Sequence, residues 1–222
     1  MADTQPSSPS RRGPRRKKPV TFRLHATVVG TEPPLYRWLD VSSELFLNDL
    51  NEVIGASFGW VNRASHEFRC GAAVDDPTAD RYICPEAVAD RDPAVPEEQV
   101  RLDELLTDLG DTLYYIYDFA DPWVHHIYVE EILPRTAKMP RARCVGGQRD
   151  CPADVAGGIA RYEYLSRRAD WDDEGESFQY VRPEDIITES EYAEPSPFVI
   201  EEINWALANT FGYGREQKSV GP

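Results

Sequence analysis

The stretch Tyr114–Leu133, YYIYDFADPWVHHIYVEEIL, constrains this chain more than any other part of it. Two runs rich in β-branched and aromatic residues flank Asp118-Phe119-Ala120-Asp121-Pro122-Trp123, the pattern of a hairpin closed by a tight corner. Side chains alternate along a strand, so in the second arm His125, Ile127 and Val129 share one face, while His126, Tyr128, Glu130 and Ile132 share the other. The two adjacent histidines point opposite ways, and only one can serve a given site.

Other segments supply partners for this hairpin. From Val20 to Val29, Phe22, Leu24, Ala26 and Val28 alternate with Thr21, Arg23, His25 and Thr27, a half-buried strand whose polar face carries His25. Pro33-Pro34 turns the chain into a second strand, Leu35–Val41, expected to pair antiparallel with the first. Ser42 and Ser43 offer capping hydroxyls to a helix running to Phe58, with Leu47, Leu50, Val53 and Ile54 on its apolar stripe and Gly59 as its exit. A short strand, His66–Cys70, follows.

Residues 71–98 hold eight acidic and two basic side chains and read as a surface excursion, within which Arg81–Val88 carries the apolar cluster able to lie back as a strand. Val100–Leu109 has the leucine spacing of a short amphipathic helix. Arg143–Gly158 reads as a glycine-rich loop whose paired glycines imply a close backbone approach. A helical turn is expected from Tyr162 and an acidic rim over 170–202, overlapping a terminal helix at Phe198–Phe211. The fold class is α+β: a single compact domain over 20–212, with a mainly antiparallel sheet, helices packed against it and a flexible end at 213–222.

Charge is distributed unevenly. The chain carries −15 in total, and residues 1–18 carry +5 (six Arg or Lys against Asp3), which leaves −20 on residues 19–222. An acidic body repels phosphate backbones and argues against nucleic-acid binding by that surface. Residues 1–19 lack apolar periodicity and read as a disordered basic tail whose removal leaves the melting temperature nearly unchanged, or alternatively as a weak contact for a polyanion. With no bilayer-length apolar run and no secretory signal, the expected location is the cytoplasm, with no membrane contact. There Cys70, Cys84, Cys144 and Cys151 are expected to be thiols.

Three groupings carry chemistry. His66, Asp118, Asp121 and His125 offer imidazole and carboxylate, able to bind zinc or another divalent metal or to act as an acid/base pair. The alternative is structural: an Asp capping the turn and a His held beneath Trp123. Cys144 and Cys151 are too far apart for a usual zinc pair, but Cys70 or Cys84, or a histidine, could complete four ligands. The loop at Gly146-Gly147 lacks the spacing and the Lys-Ser/Thr of a phosphate-binding loop.

Four blocks in one order, PPLYRWLDV (Pro33–Val41), FGW with HEF (Phe58–Trp60, His66–Phe68), YDFADPWVHHI (Tyr117–Ile127) and CVGGQRDCPADVAGG (Cys144–Gly158), resemble the plasmid pRiA4b ORF-3-like family, with EEINWAL (Glu201–Leu207) similar to its terminal helix. The resemblance covers about 20–168. It implies a compact α+β fold and a plasmid or mobile-element setting, but no reaction. Where the family pattern has a glycine, an acidic residue and two histidines, this chain has Ala120, Pro122, Ala64 and Asn51, so a histidine cluster is depleted. Two functional classes follow: a non-enzymatic accessory protein holding a protein partner near Trp60 and Trp123, or a metal-dependent hydrolase built on the His/Asp cluster.

Overall fold

The computed structural model describes residues 12–60, 64–87, 94–150, 158–159, 161–163 and 197–213. The expectations for the first eleven residues, for most of the acidic rim, for Cys151 and for the end of the chain from 214 lie outside them. Eight strands form one sheet in the order β5-β4-β3-β6-β7-β1-β2-β8. They are β1 Val20–Val28, β2 Tyr36–Ser42, β3 His66–Cys70, β4 Asp80–Ile83, β5 Val95–Pro96, β6 Thr112–Tyr117, β7 Trp123–Pro134 and β8 Ala142–Gln148. Every pairing is antiparallel except the short β4/β5 edge. With α1 (Leu47–Phe58) and α2 (Ile200–Tyr213) the chain is a single α+β domain dominated by its sheet.

The alternation in the sequence decides which face is dry. Phe22, Leu24, Ala26 and Val28 of β1, Leu39 and Val41 of β2, Phe68 of β3, Leu113 and Tyr115 of β6, and Ile127 and Val129 of β7 are all buried with the stripe Leu47, Leu50, Val53, Ile54 and Phe58 of α1. The central hairpin closes as its sequence implies, with Tyr117 opposite Trp123. One departure lies at its far end. The β1/β7 register shifts between Arg23 and Leu24, which face Glu131 and Val129, so Glu130 is bulged out. One extra residue inverts the alternation, and Ile132, expected beside Tyr128, instead packs on the core opposite Phe22.

Other expectations need correction. Ser42 and Ser43 do not cap α1. The Ser43 hydroxyl accepts from the Val20 N–H at 3.1 Å, and helix entry is supported by the Asp49 carboxylate accepting from the Phe46 N–H at 3.4 Å. Gly59 does end α1 in the left-handed region, at φ 80°. The stretch Val100–Leu109 forms one 3-10 turn, Leu102–Glu104, because it is held instead by backbone pairing: Leu47 N–H to the Val100 carbonyl, Leu102 N–H to the Leu45 carbonyl.

Gly146 and Gly147 are not loop residues. They lie in β8 opposite Trp38 and Arg37. A Cβ on Gly146 would stand 2.8 Å from Trp38 Cε3, and one on Gly147 would stand 2.7 Å from both Arg37 Cδ and the Tyr36 carbonyl, so both glycines permit a neighbouring strand's large side chains to lie across them. Arg37 itself is fully buried. Its guanidinium donates to the carbonyls of Ser57, Tyr36, Gln148 and Arg149 at 2.8–3.0 Å and lies over Phe58 and Phe198, joining α1, β2, β8 and the approach to α2. The sheet edge at β8 is covered by α2, where Asn204 accepts from the Cys144 N–H and donates to the Cys144 carbonyl, both at 2.9 Å.

Residues 12–18 contradict the reading of the whole amino terminus as a disordered tail. Arg12 donates to Glu104 at 2.9 Å, the Arg16 N–H donates to Asp103 at 3.2 Å, and the Arg16 guanidinium reaches the Thr107 carbonyl. Arg15 lies 3.5 Å from Glu104 and over the Phe46 ring. Segments without apolar residues can dock when a carboxylate-rich surface accepts them, and apolar periodicity does not report that. Among the described residues no helix is long and apolar enough to cross a membrane.

Candidate functional site

β3, β6 and β7 carry both candidate histidines onto the buried face, with one ring between them. Tyr115 of β6 stands 5.7 Å from the His66 ring and 5.3 Å from the His125 ring, centroid to centroid, and its hydroxyl donates to Asn51 of α1 at 2.6 Å. Burial holds the Tyr115 phenol well above its ordinary value.

His125 sits in a wall of rings. Phe58 meets it edge-on at 4.8 Å and Trp60 at 6.2 Å, while Trp60 stacks on Tyr117 and lies tilted against Trp123, and Trp123 packs on Tyr162. Its Nδ1–H donates to the Trp123 carbonyl at 3.2 Å. That leaves Nε2 as an acceptor, and among the described residues neither it nor the Trp60 indole N–H has a hydrogen-bond partner. Burial presses the imidazole down to about 4, so the ring is neutral at physiological pH.

His66 is also buried but pairs. Its Nε2–H donates to both oxygens of Glu97, at 3.0 and 3.1 Å. Across the ladder Cys84 lies directly opposite: the Cys84 N–H donates to the His66 carbonyl at 3.3 Å, and the His66 N–H donates to Cys84 Sγ at 3.4 Å. Burial opposes a charge here too, but hydrogen bonds to the Cys84 sulfur and the Glu97 carboxylate outweigh it and raise His66 to about 10. Glu97 comes from the 3-10 turn Glu97–Gln99, 31 residues downstream.

The acidic members of the grouping lie elsewhere. Asp118 has a left-handed backbone at φ 60°; its carboxylate accepts from the Ala120 N–H at 3.0 Å, capping the turn, while its N–H donates to the Ser65 carbonyl. Phe119, Ala120, Asp121 and Pro122 face solvent, and Asp121 packs at the backbone of Gly158. Cys144 is a buried thiol beneath Asn204. His66 of β3, opposite Tyr117, and Asp118, Asp121 and His125 of the hairpin therefore lie near one another without converging, and among the described residues no three His, Cys, Asp or Glu side chains stand together as ligands for a metal ion. Trp60 and Trp123, expected to line a surface, are core residues.

Sequence reasoning missed Glu97 and Arg37, and it offered Cys84 only as a thiol or a metal ligand, not as the neighbour of His66. The alternation of Tyr82 and Cys84 along RYIC carried a signal for Cys84, because it assigns both to one face. Glu97, in an acidic excursion, carried none.

It also treated the second face of the sheet only as polar. On that face Tyr114, His126, Tyr128, His25, Tyr36 and Trp38 form a continuous half-exposed strip across β6, β7, β1 and β2, with successive ring centroids 4.8–5.9 Å apart. The Trp38 indole N–H is buried and, among the described residues, has no hydrogen-bond partner. Beside the strip, Arg23 is held between Asp40 and Glu131, Arg143 also reaches Asp40, and Glu130 is exposed. Burial lowers His25 despite the nearby charge of Glu130, and burial together with Glu130 raises Tyr128.

Comparison with known proteins agrees with this architecture. The profile of a family described as plasmid pRiA4b ORF-3-like protein matches residues 20–190. An uncharacterised protein, y4hQ, of Sinorhizobium fredii is 28% identical over 152 residues, covering 67% of this chain and 73% of that protein. The crystal structure of a protein of unknown function, MM3350 of Methanosarcina mazei Go1, superposes with a TM-score of 0.60 at 24% identity, covering 77% of this chain and 98% of that one, a likeness of fold.

Proposed function

We propose, for a chain that belongs to the plasmid pRiA4b ORF-3-like family, that it is a non-enzymatic accessory protein of a plasmid or mobile-element setting, which holds an Arg- and Lys-bearing segment of a partner protein across the ring-lined face of its sheet. The observation that carries this reading is the six-ring strip itself: no described helix covers it, and α1 and α2 pack against the opposite face and the β8 edge. Ring faces attract guanidinium and ammonium groups. Residues 19–222 carry −20, and Glu130 and Glu131 are exposed beside the strip, so the charge favours a basic partner and disfavours nucleic acid.

The metal-dependent hydrolase reading lacks a ligand set among the described residues. A weak polyanion contact at the amino terminus would rest on the exposed Lys17 and Lys18, since Arg12, Arg15 and Arg16 face carboxylates and carbonyls of the body.

Calorimetric titration with a nine-residue peptide alternating Arg and Ala, and with a single-stranded oligonucleotide, tests the proposal. The peptide binds with a Kd of roughly ten micromolar, weakens as salt rises and loses about tenfold in a Tyr36→Ala/Tyr128→Ala variant that retains its fold by circular dichroism. A peptide that gives no heat, affinity unchanged in that variant, or preference for the oligonucleotide overturns it.

A further inference from the structure

The amino-terminal arm sits in a groove that is built without it. Asp103 is held by the Arg101 guanidinium at 2.7 and 3.1 Å, and its N–H donates to the Ser43 carbonyl at 3.0 Å. Glu104 accepts the Arg101 N–H at 2.8 Å through Oε2, which leaves Oε1 to the arm. Body residues therefore fix both carboxylates before the arm arrives. Into this frame residues 12–16 place guanidinium groups at a set spacing. Arg12 donates to Glu104 at 2.9 Å and to the Gln99 carbonyl at 3.4 Å; four positions on, Arg16 lies 5.5 Å from the centre of the Phe22 ring and donates to the Thr107 carbonyl. The backbone is held twice as well, Gly13 N–H by the Glu104 carbonyl at 2.7 Å and Arg16 N–H by Asp103 at 3.2 Å. Fixed carboxylates, carbonyls and ring faces together suit a planar guanidinium better than an ammonium. Two observations mark the arm as a removable occupant. None of residues 12–18 is fully buried, and the Arg15 side chain is half exposed, so departure takes no apolar side chain from the core. The fit is also imperfect: Arg16 Nε is buried and, among the described residues, has no hydrogen-bond partner.

We propose that this groove is a binding site for an arginine-bearing segment of a partner protein, and that residues 12–16 occupy it as a built-in competitor. The contacts specify the segment. Arginine stands at its first and fifth positions, for Glu104 and Thr107 respectively. Its second position must offer an N–H to the Glu104 carbonyl and so excludes proline. Glycine is not required there, because a Cβ on Gly13 would meet the Glu104 carbonyl and the Thr107 methyl only at 3.8 Å. The charge of −20 on residues 19–222 draws such a segment in. Phe22 belongs to the face of β1 that packs on the core, whereas His25 belongs to the ring strip, so the groove is separate from the strip and does not depend on it. A tethered competitor raises the concentration of partner needed, and only a segment that fits better than the arm displaces it.

The test is fluorescence anisotropy of a labelled peptide with the sequence of residues 11–19, RRGPRRKKP, titrated with the full chain. Every chain used carries Tyr36→Ala/Tyr128→Ala, so that the ring strip does not contribute and its failure as a site would not touch the result. Adding Arg12→Gln/Arg16→Gln releases the arm, and the peptide then binds at least about tenfold tighter than to the chain with its own arm intact. Adding Glu104→Gln to the released chain removes that gain, and so does exchanging every arginine of the peptide for lysine. Should Glu104→Gln unfold by circular dichroism, the lysine peptide and a peptide with proline in place of its glycine decide, each about tenfold weaker. Equal binding to the released and intact chains, indifference to Glu104→Gln in folded protein, or a lysine peptide that binds as well as the arginine one overturns the proposal. So does a dimer of the unmodified chain, seen by sedimentation, that Arg12→Gln/Arg16→Gln dissolves, since the occupant would then be the arm of a second copy.

Discussion

His66 and His125 occupy one face of one sheet, touch the same tyrosine and are both buried, yet the fold drives them to opposite charge states. His125 has the Trp123 carbonyl and a cage of rings, and burial outweighs that hydrogen bond, so it stays neutral to about 4. His66 meets a carboxylate and a sulfur, and it holds its proton to about 10. Burial is common to both. The partner, contributed by a segment remote in sequence, sets the sign.

Removing the cage has the largest expected effect. Trp123 is among the largest fully buried side chains, and Trp123→Ala costs about 3–5 kcal/mol by loss of transfer energy and an unfilled cavity. Water reaching His125 also returns it toward an ordinary imidazole, which histidine NMR titration reads beside urea unfolding. A near-neutral change in stability would mean that the cage does not hold His125 dry.

Next in size is the partner. Glu97→Gln removes a buried counter-charge 3.0 Å from His66 and costs about 3 kcal/mol near neutral pH. With the carboxylate gone, burial weighs more heavily and His66 moves down toward the behaviour of His125. If its titration is unchanged, the contrast between the two rings has another cause.

The two rings should also shape the stability profile on opposite sides. His66 is raised from 6.5 to about 10, so its contribution is complete below 6.5 and is lost as pH rises from 6.5 through 10. His125 is lowered from 6.5 to about 4, so the folded state is penalised as pH falls from 6.5 toward 4. Either slope is at most about 1.4 kcal/mol per pH unit. Cys84, lowered by its hydrogen bonds to His66 against burial, acts with the opposite sign to His66, so the alkaline limb is best read in a Cys84→Ala background. There His66→Gln flattens the alkaline limb, and in the unmodified chain His125→Phe flattens the acid limb. Chemical denaturation across pH 4 to 10 is the measurement, and exchanged effects would reverse the assignment.

What the sequence disclosed follows from the range of the physics. Alternation and turn chemistry are local, so β1, the hairpin from β6 to β7, the exit of α1 at Gly59 and the opposite orientations of His125 and His126 were all legible. The Glu130 bulge was not, because two strands must be paired before an extra residue exists. The close approach implied by Gly146-Gly147 was readable, but the objects approached, Trp38 and Arg37, are fixed only by the β2/β8 register. At the site, residue types were visible and partners were not. His66 of β3 stands opposite Tyr117, beside Asp118, yet one turns to Glu97 and the other to its own turn.

The amino terminus tests the same distinction at the smallest scale. Six basic side chains with no apolar periodicity read as a tail, but Asp103 and Glu104, which accept Arg16 and Arg12, lie about ninety residues away. Unlike His66–Glu97, these pairs are partly exposed: Arg12 and Arg15 keep much of their hydration, and ion pairs in such surroundings contribute only about 0–1 kcal/mol each. Deleting residues 1–18 is therefore expected to lower stability by about 1–2 kcal/mol, a shift of a few degrees rather than none. About 1 M salt should erase most of that difference through screening, while the loss in Glu97→Gln persists because its environment excludes ions. Equal salt sensitivity in the two variants would place the His66 pair in solvent and collapse the contrast with His125; a deletion without effect at low salt would return residues 12–18 to the tail that their composition suggests.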